Sequence, residues 1–312
     1  MKKWLLLLAP LFCVACSDSA PPDSSAAAVP APETTQVATP VTSAEQDAVE
    51  QETEAAEQDT EAAAESRVVT EEVEYRVGDE TFTGFLAYDA AVEGERPGVL
   101  VVHEWWGHND YVRSRAVELA ELGYTALALD MYGSGKVADH PAEAQQFMEA
   151  ALADPELMGE RFLAAKQLLE QQSATDADRI AAIGYCFGGA VVLNMARAGV
   201  ELDGVASFHG VLATEQPATP DTVAAKVLVL HGEADPLVPP EQVDAFKAEM
   251  DAAGVDYEFI GYPGVQHSFT NPGATEVGEQ FDMPLEYDEE ADRHSWEALQ
   301  AFFESLWGST DE

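Results

Sequence analysis

The stretch Ile183–Gly189, IGYCFGG, decides how this chain is read. The apolar run IAA precedes it and AVVLNMARAG (190–199) follows, so a strand enters a turn and the turn enters a helix. Gly184 and Gly188 bracket Cys186 as in G-x-S-x-G, with sulfur where that motif carries oxygen. A junction this tight needs glycine, because a side chain at either position collides with the neighbouring strand or helix. The turn lifts Cys186 above the sheet at a helix N-terminus, whose partial positive charge favours the thiolate. The competing reading is a small buried cysteine packed among glycines. The rest of the chain has to decide between them.

Outward from this turn, strands and helices alternate from Arg67 onward. VVTEEVEYRV and ETFTGFLAY flank Gly78-Asp79 as an opening β-hairpin. GVLVVH is an apolar run typical of a strand buried on both faces, and the helix DYVRSRAVELAELG follows it. YTALALD, IAAIGY, GVASFHG, KVLVLHG and DYEFIGY read as further strands. PAEAQQFMEAAL, ERFLAAKQLLEQQ, GAVVLNMARAG, PEQVDAFKAEMDAAG and HSWEALQAFFESLWG read as helices. This α/β alternation predicts a mostly parallel sheet with helices on both faces and the chemistry at the strands' carboxyl ends.

Two of those ends carry the partners a nucleophile needs. Asp235 follows KVLVLHG in EADPLVPP, and His267 follows DYEFIGY in PGVQHSF. Nucleophile, acid, histidine is the chain order of an α/β-hydrolase. The histidine takes the thiol proton and the carboxylate fixes its tautomer, which is what acyl transfer requires. Singly, Asp235 is a helix cap near Pro239 and His267 a loop histidine; in order at successive strand ends they support a triad.

The loop after the first buried strand reads HEWWGH, and its spacing fails a zinc site because H-E-x-x-H needs histidine where Gly107 stands. In such folds this loop supplies the second oxyanion-hole amide, so Trp105 N–H and Phe187 N–H form the candidate pair. Trp106 and Tyr132 are as readily packing as pocket wall. His103, His209 and His231 end strands and read as structural histidines, and Arg113 as a surface ion pair.

Taken together, HEWWG, ALDMYG, GYCFGG, HGEADPLVP and HSF resemble the dienelactone hydrolase family over Arg67 to Gly308. The resemblance implies an eight-stranded α/β-hydrolase core, a Cys186-Asp235-His267 triad, no cofactor and no metal. It also implies that Glu104 contacts the thiol and governs its ionisation. A carboxylate beside a thiol raises the thiol's pKa and guards it from oxidation. Members that act on dienelactone place arginines after D-x-Y and just after H-S-F. Here those segments read DMYGSGK and HSFTNP, with Ser134 and Thr270 nearby, and Lys136 lacks the planar fork that grips a carboxylate. Neutral esters or lactones are the expected substrates.

The N-terminus, residues 1–16, reads as an export signal: two lysines, roughly 11 apolar residues, then small residues up to Cys16. CVAC resembles a bacterial lipobox, though Cys13 stands where leucine is usual, so Cys16 is the expected lipidation site and plain export the alternative. Residues 17–66 lack aromatic and basic side chains and read as a flexible acidic tether, leaving 67–312 as the hydrolase domain. The formal charge of −43 makes nucleic acid and anionic lipid poor partners. A membrane is engaged only through the lipid, and the destination is the cell envelope. Of three cysteines, two fall in the signal, so an exported mature chain carries Cys186 without an intrachain disulfide partner. The leading expectation is a cysteine-dependent ester or lactone hydrolase. Against it stands a catalytically silent ligand-binding lipoprotein, and also a thiol peroxidase, which has no resolving cysteine.

Overall fold

A computed structural model describes residues 67–308. The expected signal, Cys16 and the tether lie outside the described residues. Strands β1 (Val68–Val77) and β2 (Glu80–Asp89) form the antiparallel hairpin around Gly78-Asp79, with Val77 opposite Glu80. The remaining strands are β3 (Arg96–Val102), β4 (Thr125–Leu129), β5 (Thr175–Tyr185), β6 (Gly204–Phe208), β7 (Lys226–Gly232) and β8 (Tyr257–Tyr262). They complete an eight-stranded sheet ordered β1-β2-β4-β3-β5-β6-β7-β8, parallel from β4 to β8.

The continuous apolar runs are explained by burial on both faces. Leu100, Val102, Leu127, Leu129, Val227 and Val229 point to one layer, where α3 (Pro155–Glu170), α4 (Phe187–Arg197) and α5 (Pro240–Ala253) cover them. Their neighbours Val99, Val101, Ala126, Ala128 and Leu228 point to the other, against α1 (Asp110–Glu121) and α7 (Glu289–Trp307). Each large buried side chain contributes roughly 1.5–3 kcal/mol of transfer free energy.

Helix starts follow local capping. The Asp154 carboxylate accepts from Glu156 N and Leu157 N, both at 3.1 Å, and Pro155 takes the first turn. This α-helix therefore begins five residues ahead of the expected ERFLAAK segment. Asp288 caps α7 by accepting from Ala291 N at 2.9 Å, which extends that helix upstream of the expected His294. Helix α2 (Pro141–Leu152) matches its expected span, whereas α6 (Ala274–Phe281) was not anticipated.

After β3 the chain turns to β4 on one side, and after β4 it crosses to β5 on the other. The loops following β3 and β5 thus diverge and leave a crevice at their carboxyl ends.

Candidate active site

Cys186 sits between β5 and α4 with φ 54 and ψ −113, a left-handed conformation rare for a residue bearing a side chain. Such strain costs on the order of 1–3 kcal/mol and persists only where its surroundings over-determine it. Here the Cys186 N–H is shared between Phe208 O at 3.0 Å and His209 Nδ1 at 3.1 Å. A Cβ on Gly184 would stand 2.1 Å from Gly188 O, so the predicted collision at the turn is real. The thiol is half-buried at the N-terminus of α4.

His267 and Asp235 reach this point from the loops after β8 and β7. His267 Nδ1 lies 2.6 Å from Asp235 Oδ2, with both side chains buried. Asp235 Oδ1 accepts from Leu237 N at 2.8 Å, which orients the carboxylate, and no side chain caps α5 at Pro239. The cap role weighed for Asp235 is therefore not the one it plays. His267 Nε2 is buried, and its contact with the Cys186 thiol falls short of a well-aligned hydrogen bond. Such contacts often tighten only when substrate binds. Burial works to lower the imidazole pKa, but its interaction with the adjacent Cys186 side chain, followed by the hydrogen bond and charge of Asp235, raises it well above its ordinary value.

Glu104 is almost fully buried, and its carboxylate accepts from Ser268 Oγ at 2.7 Å and Asn271 Nδ2 at 2.6 Å. Burial raises its pKa, against the hydrogen bonds from Ser268 and Asn271. Among the described residues Glu104 makes no hydrogen bond to Cys186; the bonds on its two oxygens come from Ser268 and Asn271. Ser268, held at φ 57, is the serine of HSF and Asn271 lies two residues beyond that motif, and this is the one signal the sequence carries for them as Glu104 partners.

The loop that carries Trp105 is pinned from several sides. Tyr132 Oη donates to Trp105 O at 3.0 Å, and Ala138 N donates to Trp106 O at 2.8 Å. Gly188 N donates to His103 O at 3.1 Å and so joins this loop to the elbow. The His103 ring packs against Tyr132 and Phe187, with centroids 4.7 and 5.8 Å away. Trp106 and Tyr132 are both buried, so packing accounts for them at least as well as lining.

Behind the elbow runs a buried polar chain. Because Cys186 N–H donates to His209 Nδ1, the neutral ring carries its proton on Nε2 and donates it to Thr270 Oγ1 at 2.8 Å. Burial depresses the His209 pKa and keeps the ring neutral. Thr270 also meets Tyr111 Oη at 2.6 Å, while its carbonyl accepts from Arg115 Nη2 at 2.7 Å. Arg115 continues to Asp292 at 2.6 Å and Glu118 at 2.8 Å. Thr270, in the segment just after HSF, points its hydroxyl into this chain, toward Tyr111 and His209. Arg113 pairs with Glu72 at 3.1 Å as expected of it.

Among the described residues, an open surface groove of about 450 Å³ beside Arg96, Tyr124 and Trp307 and another of about 390 Å³ beside Leu212, Gln242 and Phe246 are not lined by Cys186.

The model of the dienelactone hydrolase family matches residues 82–307. The chain belongs to that family. A Bradyrhizobium protein described as a probable 2-oxo-3-(5-oxofuran-2-ylidene)propanoate lactonase is 30% identical over 216 residues, covering 66% of this chain and 86% of the relative. A putative carboxymethylenebutenolidase of Methylorubrum extorquens is 26% identical, covering 76% and 81%. Among solved structures, m3DLH is 37% identical with a TM-score of 0.71, covering 77% of this chain and 98% of its own. A dienelactone hydrolase-like promiscuous phosphotriesterase from metagenomic libraries is 34% identical with a TM-score of 0.70, covering the same 77% and 98%. The dienelactone hydrolase-like chain is thus a hydrolase with an α/β-hydrolase fold, acting on a small molecule.

Proposed function

We propose that this dienelactone hydrolase family member cleaves neutral carboxylic esters or lactones through the thiol of Cys186. The observation that carries the reading is the buried 2.6 Å contact between His267 Nδ1 and Asp235 Oδ2, with the other ring nitrogen left for the thiol on a strained turn. His267 takes the thiol proton as sulfur bonds to the carbonyl carbon. The tetrahedral oxyanion rests on the N–H groups of Trp105 and Phe187. Its collapse breaks the C–O bond, and His267 returns the proton to the departing alkoxide. Water, deprotonated by His267, then attacks the thioester, releasing the acid and restoring the thiol.

The charge preference rests on what borders the site. Arg115 is committed to Asp292, Glu118 and Thr270 O, and Lys136 Nζ donates to Tyr132 O at 3.2 Å. Arg115 is buried with these partners behind the elbow, and Lys136 is a single ammonium without the planar fork that grips a carboxylate with two bonds. The phosphotriesterase relative favours a second substrate class, in which the same thiol attacks phosphorus in a neutral triester. A silent ligand-binding role is less favoured beside a complete Cys-His-Asp arrangement. For location we propose export, with Cys16 lipidated at the cell envelope.

The deciding experiment is steady-state hydrolysis of p-nitrophenyl butyrate and of dienelactone by wild type and Cys186→Ala. The variant is expected to lose at least about 10³-fold in kcat while its thermal melt is retained. Retained activity refutes the thiol mechanism, and faster turnover of dienelactone than of the neutral ester refutes the charge preference.

A further inference from the structure

Oxyanion-hole amides work only if they already aim at the place where negative charge develops. A peptide amide has little freedom of its own. In a planar trans peptide the N–H and the C=O point in opposite directions, so whatever holds the carbonyl also sets the direction of the N–H. The carbonyl that shares a peptide plane with Trp105 N–H is that of Glu104, and two donors hold it. His103 Nδ1 lies 2.5 Å from Glu104 O, and Gly107 N lies 3.2 Å from the same oxygen.

The ring that makes the shorter bond has its tautomer specified. Met131 N donates to His103 Nε2 at 3.1 Å, so Nε2 is an acceptor and the proton of the neutral ring sits on Nδ1, facing the carbonyl. Burial, the largest influence, lowers the His103 pKa, which keeps the ring in that neutral form. The side chain is fully buried and packed against Tyr132 and Phe187, so it has no room to swing away. The other amide of the pair is treated in the same manner, since the Cys186 carbonyl, in the peptide plane of Phe187 N–H, accepts from Ala190 N at 3.2 Å.

We infer that His103 is a positioning residue that aims Trp105 N–H into the oxyanion hole by holding the carbonyl of the same peptide unit. This rests on the thiol-hydrolase reading above. It makes a strand-end histidine, otherwise a packing residue, part of transition-state stabilisation without contact to substrate.

The test compares His103→Leu, which removes donor and acceptor, with His103→Gln, whose amide offers one of each. Each is assayed on p-nitrophenyl butyrate, and Cys186 is titrated separately with iodoacetamide. Alkylation by iodoacetamide builds no oxyanion at a carbonyl, so it reports the thiol and not the hole. Because Gly107 N–H remains, His103→Leu should lose about 10- to 100-fold in kcat, less than the roughly 10²–10³ of losing a donor outright. KM and the alkylation rate should stay within about threefold, which marks the loss as confined to the transition state. His103→Gln should recover to within about tenfold of wild-type kcat.

A kcat of His103→Leu within about threefold of wild type overturns the inference, as does alkylation that falls in step with kcat. If the leucine variant does not fold, a folded His103→Gln that has lost more than about 100-fold in kcat overturns it. The thiol reading fails by a separate sign, the survival of hydrolysis in Cys186→Ala.

Discussion

Adding one methyl group at Gly188 tests whether the close approach of α4 to β3 serves catalysis. A Cβ there would lie 2.3 Å from Val102 O, 2.7 Å from Val102 C and 2.8 Å from His103 O. All three are backbone atoms, so no side chain can rotate away, and relief to an ordinary contact of about 3.4 Å requires about 1 Å of movement. That movement separates the α4 N-terminus, with Cys186 and Phe187 N–H, from the loop bearing Trp105. Overpacking of this kind costs typically about 1–3 kcal/mol. For a domain of this size that corresponds to a fall in Tm of about 2–12 °C. A misplacement near 1 Å at reacting groups costs about 10² in rate. Gly159 supplies the control, because it lies within α3 and a Cβ there meets nothing within 4 Å. Gly159→Ala should stabilise by about 0.5–1 kcal/mol and leave kcat unchanged, since alanine restricts the unfolded chain and favours helix. Differential scanning calorimetry and p-nitrophenyl butyrate kinetics on both variants provide the readout. If Gly188→Ala keeps wild-type kcat and Tm, the argument that the elbow depends on backbone contact with β3 is wrong.

Two more outcomes are expected. Asp235→Asn should keep the fold and lower kcat on the order of 10³–10⁴-fold, because the amide no longer holds the His267 tautomer or stabilises the imidazolium; a loss under tenfold in steady-state kinetics contradicts the triad. His108, buried with Nε2 donating to Ala128 O at 3.0 Å, has its pKa pushed down to about 4, by burial above all and further by the nearby Arg113 guanidinium. With the folded pKa below the unfolded one, its neutral form supports the fold above pH of about 6.5, and that support drains away between about 6.5 and 4 at up to about 1.4 kcal/mol per pH unit. Urea melts across that window should show a shallower acid loss for His108→Gln than for wild type, and parallel curves would disprove the assignment.

The strands were legible because burial on both faces demands unbroken apolar runs, as in GVLVVH and KVLVLHG. Helix starts were less so. Asp154-Pro155 carries both the cap and the first-turn proline, yet the charged, weakly apolar PELMGE that follows hides the periodicity. Helix α6 is eight residues long and seats Gly278 against Leu285 O, a tertiary contact with no local signature. At the site, Cys186, Asp235 and His267 could be ordered from their strand ends alone. The partners of Glu104 could not, since Ser268 and Asn271 lie 164 and 167 residues away along the chain. For the same reason His103 and His209 read as structural. What distinguishes them is which backbone group each ring meets, and that depends on the fold.

The polar chain from Cys186 through His209, Thr270 and Arg115 ends on Asp292, in the first turn of the last helix. It sets an order of assembly during synthesis. A ribosome that has delivered β5 and α4 has already made the elbow, but His209 follows 23 residues after Cys186, Thr270 a further 61 after that, and Asp292 only in the last helix. The full set of contacts behind the strained turn is therefore complete only once the C-terminal helix is in place.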